Sequence, residues 1–110
     1  MTAVARRIVL LCLACALASP ATALAQGAFA GVVKDASGAV LPGVTVEARS
    51  PALIEGARAV VTDGNGAYQI VDLRPGVYVL SFTLAGFSAV KREGLELAGA
   101  RVVTIDAQLS

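Results

Sequence analysis

The chemistry open to this chain is set by its carboxylates, because there is little else to work beside them. It carries 8 Asp and Glu residues and no histidine. Without an imidazole there is no Ser-His-Asp relay, no histidine metal ligand and no usual general base. Two carboxylates alone can act as acid and base across a glycosidic bond. Here, however, every acid falls in a turn or at an outward strand position, where a solvated charge is the ordinary reading. Asp63-x-Asn65-Gly66 resembles the opening of an oxygen-rich calcium loop. Such a loop needs further ligands and a closing bidentate glutamate, whereas this chain returns at once to Tyr68-Gln69-Ile70. Turn chemistry explains all four residues, so no catalytic residue, metal or cofactor is expected.

The elements that place these residues are short strands. Asp63-Gly64-Asn65-Gly66 supplies the residue types that tolerate positive φ, as a tight hairpin requires. Pro75-Gly76 fits the central positions of a type II turn, which predicts a left-handed Gly76. After it, Tyr78, Leu80, Phe82 and Leu84 alternate with Val77, Val79, Ser81 and Thr83, a strand with one strongly apolar face.

The first 25 residues read as an export signal rather than as fold. Arg6-Arg7 is a basic start, residues 8–18 an apolar run, and Ala23-Leu24-Ala25 a cleavage site before Gln26. The run is shorter than the roughly 20 apolar residues that span a bilayer. Both cysteines, Cys12 and Cys15, lie inside it, so the mature chain has no disulfide and no thiolate ligand. An uncleaved anchor and a lipidated Cys15 are the lesser alternatives. Cleavage leaves 85 of the 110 residues, with 7 basic residues against 8 acids, a net charge of −1. That balance gives no electrostatic case for nucleic acid or for anionic lipid. One domain over residues 26–110 is expected, not inserted in a membrane, monomeric, and burying a little over ~60% of its unfolded surface.

Seven strands are legible: residues 29–34, 44–49, 57–62, 67–71, 77–84, 87–92 and 101–109. Val44, Val46 and Ala48 should point inward, as should Val103, Ile105, Ala107 and Leu109. The third and fourth strands should pair across residues 63–66. The sixth, ending Lys91-Arg92-Glu93, should be an edge whose charges discourage stray pairing. Turn signals about every ten residues, without helical periodicity, argue for an all-β antiparallel sandwich, with a small open barrel as the alternative.

In order, Gly31-x-Val33-x-Asp35, Gly38-Ala39-Val40-Leu41-Pro42-Gly43-Val44-x-Val46, Thr62-Asp63-Gly64-Asn65-Gly66-x-Tyr68 and Leu73-x-Pro75-Gly76-x-Tyr78 resemble the carboxypeptidase regulatory-like domain. Gly86-Phe87 and Arg92-Glu93-Gly94-Leu95 extend the likeness, which runs from about residue 28 to 109. It implies a transthyretin-like (prealbumin-like) Greek-key β-sandwich, a fold shared with collagen-adhesin B-type repeats. The motif wording is most similar to the N-terminal extension of Oar-like TonB-dependent receptors. The sequence shows no plug or barrel strands before Ser110, so the resemblance implies the periplasmic accessory domain of such a receptor, truncated or a fragment of the larger chain. Related adhesin sandwiches join a first-strand lysine to a last-strand Asn or Asp beside a glutamate. Lys34, Asp106 and Glu47 occupy such strands, but alternation turns all three outward. The expectation is an exported, non-catalytic module of the periplasm or outer membrane, whose partner is an envelope protein or a polysaccharide. Carbohydrate binding is the alternative, although sugars stack on exposed aromatics and Tyr68, Phe29 and Phe87 read as core.

Overall fold

The computed structural model describes residues 26–110. The cleavage residues Ala23 and Ala25 lie outside the described residues, and Gln26 opens them as an exposed position. Eight strands follow: β1 (Gly27–Asp35), β2 (Thr45–Arg49), β3 (Ala57–Val61), β4 (Ala67–Leu73), β5 (Gly76–Thr83), β6 (Val90–Leu97), β7 (Val102–Thr104) and β8 (Ala107–Leu109). They form two sheets, one ordered β4-β1-β7 with β8 also on β1, the other ordered β3-β2-β5-β6. The transthyretin-like sandwich is therefore the fold.

Its core comes from the alternation. Val44, Val46 and Ala48 have no exposed surface, and neither do Tyr78, Leu80 and Phe82, with which they share a sheet. Phe29, Val33, Ile70 and Leu73 answer from the opposite sheet. Phe29 meets Tyr78, and Tyr68 meets Phe82, each edge to face with ring centroids 5.4 and 5.7 Å apart, the geometry that aromatic quadrupoles favour. Leu84, Phe87, Val103 and Ile105 pack at the core's margin.

Four sequence expectations are corrected. The segment 63–66 is a turn, but β3 pairs with β2 and β4 with β1. It is a corner that carries the chain from one sheet to the other. The same holds for Pro75-Gly76, and Gly76 is not among the residues at positive φ. Glycine is needed there for space: a Cβ would lie 2.7 Å from the Ala52 Cβ, because the loop after β2 lies over it. The left-handed residue in this corner is Asp72, at φ 58°, in the extra residue of a β-bulge opposite β1. Third, the sixth strand starts at Val90, not at residue 87. Fourth, the last strand is two, and both run parallel to β1, which makes eight strands of mixed direction out of the expected seven antiparallel ones.

The break between β7 and β8 has a local cause. The Ile105 N–H donates to the Ala30 carbonyl at 2.8 Å, and the Ile105 carbonyl accepts from the Tyr68 hydroxyl. Asp106 then replaces a ladder carbonyl with its own carboxylate, accepting the Val32 N–H at 2.8 Å. The chain runs so close to β1 here that a Cβ on Gly31 would sit 2.1 Å from the Ile105 oxygen.

Candidate functional site

Backbone hydrogen bonding fixes what each strand offers to a partner. Thr62 donates to the Val44 carbonyl, and Ser50 donates to that of Gly56. In an antiparallel pair the peptide groups alternate between partner and outside. On β3 the groups of Ala57, Ala59 and Val61 therefore face outward. Carried across β2 and β5 through the observed registers, the same alternation turns Lys91 and Glu96 outward on β6. On the other sheet, Ile105 donating to Ala30 and Val33 donating to Gly66 turn Gln69 and Val71 of β4 outward.

Each edge is treated differently. The β4 edge is strapped: the Arg58 guanidinium reaches from β3 and donates to the carbonyls of Val71 and Asp72, at 2.7 and 3.1 Å, and to Glu55 at 3.0 Å. The β7–β8 edge is interrupted at Asp106. The β6 edge carries exposed Lys91, Arg92, Glu93 and Glu96, with a register shift around Glu93 and Gly94. Between β6, β8 and the turn after β1 lies an open groove of about 590 Å³, lined by Lys34, Asp35, Ser37, Arg92, Asp106 and Gln108 among others.

The residues singled out from sequence take plain structural roles. Asp63 Oδ1 accepts the N–H groups of Asn65 and Ala67 at 2.8 and 3.0 Å, and Gly66 takes φ 71°; Gly64 and Asn65 are exposed at the tip. The expected positive φ within 63–66 is thus present, and the carboxylate serves the turn. Lys34 and Asp106 line the same groove, while Glu47 sits on the other sheet, paired with Arg49 at 2.8 Å. The three groups that an isopeptide bond would need are not brought together. Among the described residues no three His, Cys, Asp or Glu side chains are grouped to hold a metal.

Three pKa shifts have physical causes. The Asp35 carboxyl is held below its ordinary value, chiefly by the Ser37 hydroxyl, with backbone donors from Ala39, Ser37 and Gly38 adding to it against some desolvation. Burial, reinforced by the Asp106 charge, pushes the Tyr68 phenol well up. Burial also raises Tyr78, whose hydroxyl donates to the Arg74 carbonyl at 2.5 Å. Both phenols are held as neutral donors that tie strands together.

Sequence reading missed the strap made by Arg58, the clearance given by Gly31 and the backbone bond accepted by Asp106. A lone arginine within the small apolar run Ala57-Arg58-Ala59-Val60-Val61 was the available signal for the first.

The described residues form a two-sheet β-sandwich whose polar side chains are spent on turns and edges. The chain belongs to the carboxypeptidase regulatory-like domain family, which it matches over residues 28–110. It is 38% identical over 66 residues to the TonB-dependent transporter Oar of Myxococcus xanthus, a stretch covering 60% of this chain and 6% of that relative. Its fold is similar to chlorocatechol 1,2-dioxygenase from Pseudomonas putida (TM-score 0.61, 13% identity, 78% of this chain and 60% of that one). It is also similar to a candidate carbohydrate binding protein from Pseudomonas aeruginosa (TM-score 0.54, 16% identity, 77% and 89%). At these identities the two structures share the fold alone, and one fold hosts unrelated functions.

Proposed function

We propose that this chain is an exported, non-catalytic β-sandwich module of the bacterial envelope, the periplasmic accessory domain of a TonB-dependent receptor. The observation that carries the reading is the 38% identity to the Oar transporter. The site chemistry supports it, since the carboxylates of Asp35, Asp63 and Asp106 are engaged by backbone N–H groups. The mature chain begins at Gln26. It meets its receptor or envelope partner through the β6 edge, where outward Lys91 and Glu96 select a strand of matching charge by backbone pairing.

Two measurements test this. Intact mass of the exported protein should correspond to a start at Gln26; a lipidated Cys15 or a retained Met1 would overturn the export reading. Capture of the receptor by Lys91→Pro protein should fall against wild type, because the outward N–H is lost while the β5 ladder is kept. Undiminished capture would reject β6 as the binding edge. Hydrolytic turnover by the purified protein would reject the non-catalytic role.

Carbohydrate binding is the second reading, supported by the shared fold with the P. aeruginosa protein. Retention on polysaccharide that survives Lys91→Pro would favour it, with the groove beside Arg92 and Asp106 as the surface to examine.

A further inference from the structure

We propose that β3 is a self-association strand: two copies of this chain pair antiparallel through Ala57–Val61, about a two-fold axis at Ala59, joining their β3-β2-β5-β6 sheets into one. The inference goes beyond the envelope role and does not depend on it.

Three observations converge on this strand. Its outward backbone groups belong to Ala57, Ala59 and Val61, all of one parity. An antiparallel partner forms hydrogen-bonded pairs at every second residue. Setting Ala59 opposite its own mate then places Ala57 opposite Val61 on both sides of the axis, and each of these pairs exchanges two bonds. The register satisfies every outward group of the strand and is its own mirror under the two-fold, as an isologous interface demands.

The edge is also undefended. Proteins guard exposed edges with charge, proline or bulges. Neither β3 itself nor its regular register with β2 shows any of these, apart from Arg58. Arg58 is turned away: its guanidinium is occupied by Glu55 and by the Val71 and Asp72 carbonyls. In this register it stands opposite Val60 of the second copy and not opposite its own mate. Third, Val61 leaves 60% of its surface exposed at the end of the strand. In this register it gains Ala57 of the second copy as its cross-strand neighbour.

The β6 edge makes the contrast. Its outward groups, Lys91 and Glu96, stand an odd number of residues apart because of the register shift between them. Their charges, and the register shift between them, are the guards that β3 lacks. Among the edges of the described residues, the alternation and the charge both favour β3. A monomer is the expectation from sequence, and the geometry of β3 points instead to a dimer with a second copy as its occupant.

Sedimentation analysis of the whole exported protein tests this directly. Wild type should show reversible dimerisation rising with concentration. Ala59→Lys should weaken it by about tenfold or more, because like charges then face each other at the axis. Ala59→Glu should do the same, and mixing the two variants should restore association as a heterodimer. Ala59→Pro should also dissociate the dimer, since it deletes an outward N–H and leaves the β2 ladder whole. Should a variant fold poorly, hydrogen exchange on wild type decides: the Ala57, Ala59 and Val61 amides should gain protection with concentration, and Val60 should not. A wild type that stays monomeric, a Lys variant that dimerises as well as wild type, or a mixture that stays monomeric would each overturn the proposal.

Discussion

Two turns in this molecule have one design and unequal surroundings. Asp35-Ala36-Ser37-Gly38-Ala39 and Asp63-Gly64-Asn65-Gly66-Ala67 both open on an aspartate. In each, Oδ1 accepts the N–H groups two and four residues on. In each, the aspartate N–H donates to the alanine carbonyl, and the glycine N–H donates back to the aspartate carbonyl. The glycines stand at φ 89° and 71°. The difference lies in what surrounds them. A Cβ on Gly38 would meet nothing within 4 Å, whereas one on Gly66 would lie 2.7 Å from the Val33 oxygen and 2.9 Å from the Val40 Cβ. The first turn closes on itself at the surface. The second is the corner between the sheets, and its Gly66 carbonyl accepts the Val33 N–H of β1. A shared hydrogen-bond pattern thus fixes a turn's shape, and packing fixes how much of the fold rests on it.

The yardstick for this difference is the core. Leu80→Ala, at a position with no exposure, should cost roughly 2–5 kcal/mol in urea unfolding, and Val79→Thr on the outer face far less. Equal losses would mean that the strand facing is wrong, and with it the corner's place between two sheets. Gly66→Ala comes next: left-handed strain plus overpacking against backbone should cost about 2–4 kcal/mol. Gly38→Ala should cost about 1–2 kcal/mol, from strain alone. If the two glycine variants unfold at the same urea concentration, the packing distinction fails.

Asp63→Ala should lose about 1–2 kcal/mol as two turn donors lose their acceptor, while Asp63→Asn should keep most of the stability because an amide oxygen can accept the same bonds. An Asn variant as damaged as the Ala variant would show that charge, and not acceptor geometry, holds the corner. The smallest effect is on protons. Ser37→Ala should raise the Asp35 pKa toward its ordinary value, read by carboxyl NMR titration. A folded-state pKa below the unfolded one stabilises the fold above the unfolded value, and the gain disappears as pH falls through the lowered one. Ser37→Ala should therefore flatten the acid limb of the stability curve; an unchanged Asp35 titration would remove the hydroxyl as cause.

Period-two alternation was easy to read where the side chains are large. Tyr78, Leu80 and Phe82 could only face inward, and Val44, Val46 and Ala48 follow the same rule. The family likeness, carried by motifs such as Thr62-Asp63-Gly64-Asn65-Gly66-x-Tyr68, was equally plain. What stayed hidden has a common origin in through-space contact. Gly76 reads as a turn glycine, because a glycine required for positive φ and one required for clearance are the same letter. The segment 63–66 announces a turn but not the sheet to which the chain goes next. The interruption at Ile105 and Asp106 leaves no trace in the alternation, because β7 and β8 keep one offset against β1. Arg58 reveals its strap only once β4 lies beside it. The edge strand was legible as a charged edge, yet its boundaries moved because Phe87 belongs to the turn that precedes it.

The parallel pairing of β1 with β7 and β8 has a consequence for assembly. The opening strand stays unfinished along one side until the final residues of the described chain are available. No local hairpin can supply that closure, since the partners are separated by nearly the whole domain. Contacts of such long sequence separation slow folding. In a chain that emerges amino end first, β1 waits with Ala28, Ala30 and Val32 unsatisfied while the other sheet can already form by neighbouring antiparallel pairings. Tyr68 and Asp106 hold the two sides of one jog in that closure. Shortening the chain before Val102 would take Ala107 and Leu109 from the core and leave one side of β1 open to stray pairing.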